Sequence, residues 1–352
     1  MTSRESRRAR RGAREPRPRS RRAIVFLLGA VLLTGCGSGT QTGLVAIGSG
    51  VRGRSGLKAT VYAAGLRKMS AFAVDDRGRL WVTTSAATDH SADGLYLVSK
   101  PGARPVKVVA HLNAPLGLTW YGGKLYVASI GRVEAFSGLQ GTHFRERKTI
   151  LDGPARGASN NSLVAHGGRL FMSVSTTCDH CKPTSSWAAS IVSFRPDGSD
   201  LRVYARGVRA AFGLAFYPGG SDLFASMNQR DDLGGRTPGD WLALVRQGEN
   251  WRFPSCYGQG GPVCKDVPRP VAVLDKHAAA GAIAFVGGAA LVTEWAKGKV
   301  LRIALTKTTA GYEGTVSTFL TGLRNPLPAA TLRDGAVLVG DWTTGKVYRI
   351  VT

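Results

Sequence analysis

The sequence predicts an all-β fold, a six-bladed β-propeller closed by an N-terminal strand in the last blade. Three observations carry this: one β-module recurs along the chain, its spacing is nearly constant, and the two ends of the series are incomplete in complementary ways. The fullest copy spans residues 319–350. There, alternating apolar positions such as Val337, Val339, Val347 and Ile350, broken by Gly and Asp-Gly turns, indicate short half-buried strands rather than helices.

The outer strand of the module, with its turn, recurs at 61–67, 108–113, 150–156, 203–209, 273–277 and 319–324. Each is followed by an apolar anchor: Trp81, Tyr126, Phe171, Phe224, Val292 and Leu338. The anchors lie about 45, 45, 53, 68 and 46 residues apart, the range of one four-stranded blade plus insertions. A blade cannot bury both its faces alone, whereas six around an axis bury one another. Strand 60–63 has no anchor before it, and the last copy has no outer strand after Ile350. Pairing the two closes the ring and removes two open sheet edges. A β-sandwich has similar strand content, but it is the period that repeats.

Residues 1–22 hold ten arginines, two glutamates and no aliphatic residue larger than Ala, a composition not expected to fold. An apolar run over 23–33, too short for a permanent membrane span, ends in Leu33-Thr34-Gly35-Cys36. Residues 1–35 therefore read as an export signal, and the lipobox-like 33–36 predicts cleavage before Cys36 and lipid attachment to its thiol. A chance Cys after an ordinary signal is the alternative. The stretch 20–25 is also similar to a twin-arginine signal. Residues 36–58, rich in Gly and Ser, are expected to be a flexible tether to a propeller spanning 59–352. The expected location is the extracytoplasmic face of the cell membrane, held by the lipid.

Removing ten positive and two negative charges from the formal +24 leaves +16. The remaining Lys and Arg are scattered through strands and turns of an exported chain, so no nucleic-acid partner is expected; anionic lipid headgroups or wall polymer suit the charge better. A basic channel for an anionic cofactor is a second option. Four cysteines remain, and the expected disulfides are local, Cys178 with Cys181 and Cys256 with Cys264. A single C-x-x-C supplies only two thiolates, too few for a zinc site by itself.

The loops from each outer strand to the next inner strand should gather at one channel mouth. They offer Arg67 and Lys68, Asn113, Asn160 and Asn161, Arg209, His277, and Arg324 with Asn325. That set suits a ligand with several carboxylates or carbonyls. In the long insertion 226–264, Asp231, Asp232 and Asp240 either surround a hard cation such as calcium or cap local turns.

This insertion resembles the glucose/sorbosone dehydrogenase family. The matching segments are NQRDDLG at 228–234, the Pro238-Gly239-Asp240 turn and GENWRFPSCYGQGG at 248–261, supported by STTCDHC at 175–181, RPDGSDLRVYARGVR at 195–209 and LDKHAAAGAIAF at 274–285. The resemblance covers roughly 60–352 and implies a propeller that oxidises a sugar by hydride transfer to pyrroloquinoline quinone (PQQ), with calcium bound at the Pro238-Gly239-Asp240 turn through the backbone carbonyls of Pro238 and Gly239. Asn160, Asn161, Arg209, Lys297 and Arg324 would then hold the cofactor. The family's catalytic histidine falls on Ala158, or on Ser159 if the gap moves, and neither is a base near neutral pH. His277 is the one mouth histidine that could replace it. The alternative is a catalytically inactive propeller that binds a carbohydrate, a wall polymer or a partner protein. A metal-dependent lactonase is a third class, disfavoured because the mouth loops offer mainly Arg, Asn and His. The sequence does not identify an electron acceptor.

Overall fold

The computed structural model describes residues 43–86, 93–153, 158–258 and 264–351. The expected export signal, lipobox and Cys36 lie outside these residues, as does Arg156. Six antiparallel sheets form the blades. The first runs from inner to outer edge through β4 (Met69–Val74), β5 (Leu80–Thr84), β6 (Gly94–Val98) and β7 (Val106–Ala110). The second comprises β8 (Gly117–Tyr121), β9 (Lys124–Ser129), β10 (Arg132–Gln140) and β11 (His143–Asp152), and the third β12 (Asn160–His166), β13 (Arg169–Val174), β14 (Ser190–Phe194) and β15 (Arg202–Arg206). The fourth is β16 (Ala211–Phe216), β17 (Leu223–Met227), β18 (Gly239–Val245) and β19 (Ala272–Lys276). The fifth is β20 (Ala280–Val286), β21 (Ala289–Glu294), β22 (Lys299–Thr308) and β23 (Gly311–Thr321). The sixth holds β24 (Pro326–Thr331), β25 (Val337–Asp341) and β26 (Val347–Val351).

The sixth blade takes its outer strand from the other end of the described chain. β3 (Lys58–Ala63) pairs antiparallel with β26, placing Tyr348 opposite Val61 and Ile350 opposite Ala59. The inner strands neighbour one another in the cycle β4, β8, β12, β16, β20, β24 and back to β4. That ring closes on itself, so its inner strands meet a neighbour on every side.

Every anchor falls on the second strand of its blade and is buried: Trp81, Tyr126, Phe171, Phe224, Val292 and Leu338. The hydrophobic core is correspondingly six clusters, one at each interface between neighbouring blades. Between the first and second blades, Trp81, Leu95 and Leu97 meet Leu125, Val127 and Phe136. Truncating a side chain such as Trp81, which has no exposure, would cost about 3–5 kcal/mol.

The expected tether needs correction. Within 36–58, β1 (Val45–Gly48) and β2 (Val51–Gly53) form a hairpin that extends the fifth blade, with Arg52 opposite Thr321 and Gly53 opposite Leu320. Its turn is Ser49-Gly50, both at positive φ (55° and 82°), the conformation of a tight two-residue hairpin. Ile47 and Val51 join Phe319 and Leu320 in one cluster. A Cβ on Gly53 would lie 2.9 Å from the Ile47 side chain, so this glycine permits close packing rather than flexibility.

Candidate functional site at the propeller mouth

All six blades contribute to one cavity of about 430 Å³ at an end of the central channel. Its wall includes Ser85 after β5, Leu116 and Ile130 of the second blade, and Ser159 just before β12. Phe212 and Asn228 come from the fourth blade, Trp295 follows β21, and Trp342 follows β25. Apolar groups dominate the wall, with a few polar groups placed among them, as in most small-molecule sites.

The two tryptophans form an edge-to-face corner, their ring centroids 5.7 Å apart and planes at 77°. Asn325 ties their loops together: its side-chain amide donates to the Trp295 carbonyl (3.0 Å), and its backbone carbonyl accepts the Trp342 N–H (2.9 Å). The Trp342 indole N–H donates to the Ser85 carbonyl (3.3 Å), and the Lys68 amine sits 3.4 Å above the Trp342 ring. Sequence alone singles out Lys68 and Asn325 at the mouth but not the two tryptophans. Each lies three or four residues past its blade's anchor, at the start of the loop that returns to the mouth. That register was the available signal.

The catalytic candidates do not assemble. Ala158 is buried in a cluster with Tyr126, Met172 and Val174 and carries only a methyl group. His277 is a correction: it is absent from the cavity wall, its ring is half exposed, and its Nδ1 lies 2.9 Å from the Asp231 carboxylate. A base already facing a carboxylate outside the cavity is not positioned to take a proton from a sugar held within it.

The expected cofactor holders all lie in loops or strand ends around the mouth; Arg209 is engaged elsewhere, and Asn160 and Asn161 have their N–H donors engaged while their amide oxygens accept no hydrogen bond among the described residues. The Arg209 guanidinium is paired with Asp179, donating to both its side chain and its carbonyl, and also donates to the Asn228 carbonyl (3.3 Å). Asp179 sits between Cys178 and Cys181, which are disulfide-bonded, so a short closed loop delivers the counter-charge. Asn160 and Asn161 are fully buried; the first donates to the Ser129 carbonyl (2.8 Å), the second to the Ser175 hydroxyl. Lys297 and Arg324 are exposed and are not part of the cavity wall.

The calcium expectation at Pro238, Gly239 and Asp240 also needs correction. Gly239 and Asp240 begin strand β18 rather than forming a turn, with Gly239 opposite Lys276. Asp240 is buried, and its two oxygens accept the Gln229 N–H (2.8 Å) and the Ala280 N–H (3.0 Å), stapling the fourth blade to the fifth. Burial pushes its carboxyl up to about 6, with those two N–H donors pulling the other way. Asp93 makes the same staple between the first and second blades, accepting from Ala86 (2.6 Å) and Ala114 (3.0 Å). Asp232 is held in a fork by Arg230, which holds its carboxyl well below the usual range, and Asp231 faces His277. Among the described residues, no three His, Cys, Asp or Glu side chains are grouped to hold a metal ion. The residues present therefore do not supply the base, and the Arg209 guanidinium and the Asp231, Asp232 and Asp240 carboxylates are already engaged. Cys256 is bonded to Cys264, closing the end of the same insertion.

No family model and no curated protein matches the chain. Solved structures do. A crystal structure described as a putative oxidoreductase (glucose dehydrogenase) from Thermus thermophilus superposes with TM-score 0.71 at 20% identity, covering 84% of this chain and 100% of that one. The PQQ domain of pyranose dehydrogenase from Coprinopsis cinerea, in its holo form, gives 0.70 at 16% identity over 86% and 97%. The PQQ-bound aldose sugar dehydrogenase of Streptomyces coelicolor gives 0.69 at 18% identity over 85% and 99%. The chain thus has the six-bladed propeller fold of PQQ-dependent sugar dehydrogenases.

Proposed function

We propose that the mouth cavity binds a saccharide, in a propeller related to quinoprotein sugar dehydrogenases whose oxidation machinery is not intact. The observation that carries this is the Trp295–Trp342 corner. Aromatic faces and edges pack against the C–H surfaces of a sugar ring, while nearby polar groups take its hydroxyls. The Ser85 and Ser159 hydroxyls have no hydrogen-bond partner among the described residues, which leaves them for a ligand. On this reading the chain is exported and held on the outer face of the membrane by a lipid on Cys36; mass spectrometry of the mature N-terminus tests that arm.

The second reading is oxidation of a sugar with PQQ and calcium. It is favoured by the fold shared with the PQQ-bound aldose sugar dehydrogenase, and disfavoured by Ala158 and by the Arg209–Asp179 pair. Titration of mono- and oligosaccharides against intrinsic tryptophan fluorescence tests the binding reading. Saturable quenching that weakens about tenfold in Trp342→Ala supports it. Absence of a response to every sugar offered, confirmed by calorimetry, would remove it.

A further inference from the structure

Exposed cations surround the mouth. On the side of the third and fourth blades Arg209 pairs with Asp179 and Arg230 with Asp232, His277 faces Asp231, and Lys182, Arg236 and Lys276 are exposed without an ion-pair partner among the described residues. On the side of the fifth, sixth and first blades a second group of cations is gathered. Arg67, Lys297, Arg324 and Lys346 are exposed, and none has an ion-pair partner among the described residues.

These four belong to loops tied together at the lip. Leu66 N–H donates to the Gly345 carbonyl (3.0 Å), and a Cβ on Gly345 would lie 3.1 Å from the Arg67 side chain. Lys68 N–H donates to the Trp342 carbonyl (2.7 Å). A Cβ on Gly298 would meet the Leu323 and Arg324 carbonyls at 2.6 and 3.2 Å, which brings the Lys297 loop against Arg324. Asp341, five residues before Lys346, is buried and accepts the N–H groups of Arg324 (2.7 Å), Thr343 (3.2 Å) and Thr344 (3.0 Å), and Glu294, three residues before Lys297, is buried and paired with Lys299. Asp341 organises the lip but is turned inward. Lys68, above Trp342, joins this cationic lip to the aromatic corner of the cavity.

Like charges gathered without counter-ions cost free energy unless something anionic rests on them. We propose that the mouth selects saccharides bearing carboxylate or phosphate groups, with the sugar ring against Trp295 and Trp342 and its anions on Arg67, Lys68, Lys297, Arg324 and Lys346. This rests on the saccharide reading above and names the ligand class for it. The excess of basic residues over the whole chain draws such a ligand in at low ionic strength.

The test is calorimetric titration of the purified full chain with an oligogalacturonate, its neutral methyl ester, a polyol-phosphate oligomer and a single-stranded DNA of matched charge. The expected result is saturable binding of an acidic saccharide probe, weakened by added salt and by about tenfold in an Arg67→Ala, Arg324→Ala, Lys346→Ala variant. Binding of the ester should not change in that variant. A control variant, Arg145→Ala with Lys148→Ala on exposed β11, should bind like wild type. Preference between uronate and phosphate tells which anion is meant. Equal affinity for acid and ester overturns this proposal and leaves the saccharide reading standing; no binding of either overturns both. DNA binding as tight as the acidic sugars, or equal loss in the control variant, overturns it in favour of non-specific charge attraction.

Discussion

The guanidinium of Arg209 is closed off by the carboxylate of Asp179, a residue thirty positions earlier that a disulfide holds in a tight loop. The resemblance assigns this arginine to a cofactor carboxylate, so the pair decides what the mouth can do. Asp179→Ala would leave Arg209, only 14% exposed, without its counter-charge. The variant should lose about 1 kcal/mol of stability, discounted from a buried pair because Asp179 is 36% exposed. Urea denaturation checks it, and a double variant with Arg209→Ala should lose less than the sum of the two singles.

Ala158→His restores the side chain that the sequence resemblance finds missing. Ala158 packs into the interface between the second and third blades, so an imidazole there overfills a closed site. The expected outcome is a loss of about 1–3 kcal/mol in stability with no gain of dye-linked sugar oxidation. Thermal unfolding and a reductase-dye assay check the two halves separately.

Asp240 titrates in the acidic range. Its carboxyl is raised from 3.8 to about 6, mainly by burial, so the folded chain holds this proton more tightly than the unfolded one. Its contribution favours folding below the unfolded value of 3.8 and is lost as pH rises through about 6. The shift corresponds to roughly 3 kcal/mol across that window. Asp240→Asn cannot titrate, so it should compare worst with wild type near pH 4 and best above pH 7. Stability curves at several pH values read this directly.

The N-terminal hairpin is part of the fifth blade. Val51 is 1% exposed among Val300, Phe319 and Leu320. Val51→Asp buries an unpaired carboxylate and should cost about 3 kcal/mol. It should leave saccharide affinity unchanged in the folded fraction, because the hairpin lies on the outer edge of its blade, away from the channel. Denaturation and fluorescence titration together check both statements.

The propeller was legible because each blade repeats the same buried second strand, and Trp81, Tyr126 and Phe171 mark it even where the rest of the module drifts. Closure by β3 was legible for the same reason, as an unmatched strand at each end. The hairpin over 45–53 was hidden because Gly-Ser composition serves a tight turn as well as a loose linker. The site was less legible because side-chain pairing across blades is not written in local spacing. Asp231, Asp232 and Asp240 stand close together in the chain, yet each answers a different partner: His277, Arg230 and the N–H groups of Gln229 and Ala280. Composition offered calcium and local capping equally, and Asp240 turned out to cap across a blade interface.

The most direct test mixes the purified protein with PQQ and calcium and follows dye reduction over a panel of aldoses while saccharide binding is measured in parallel. Saturable sugar binding without aldose-dependent dye reduction is the predicted result. Turnover that appears with PQQ and calcium and is lost in Arg209→Ala or His277→Ala would contradict the account, because it would require the Asp179 and Asp231 pairs to open and the mouth to work as a dehydrogenase.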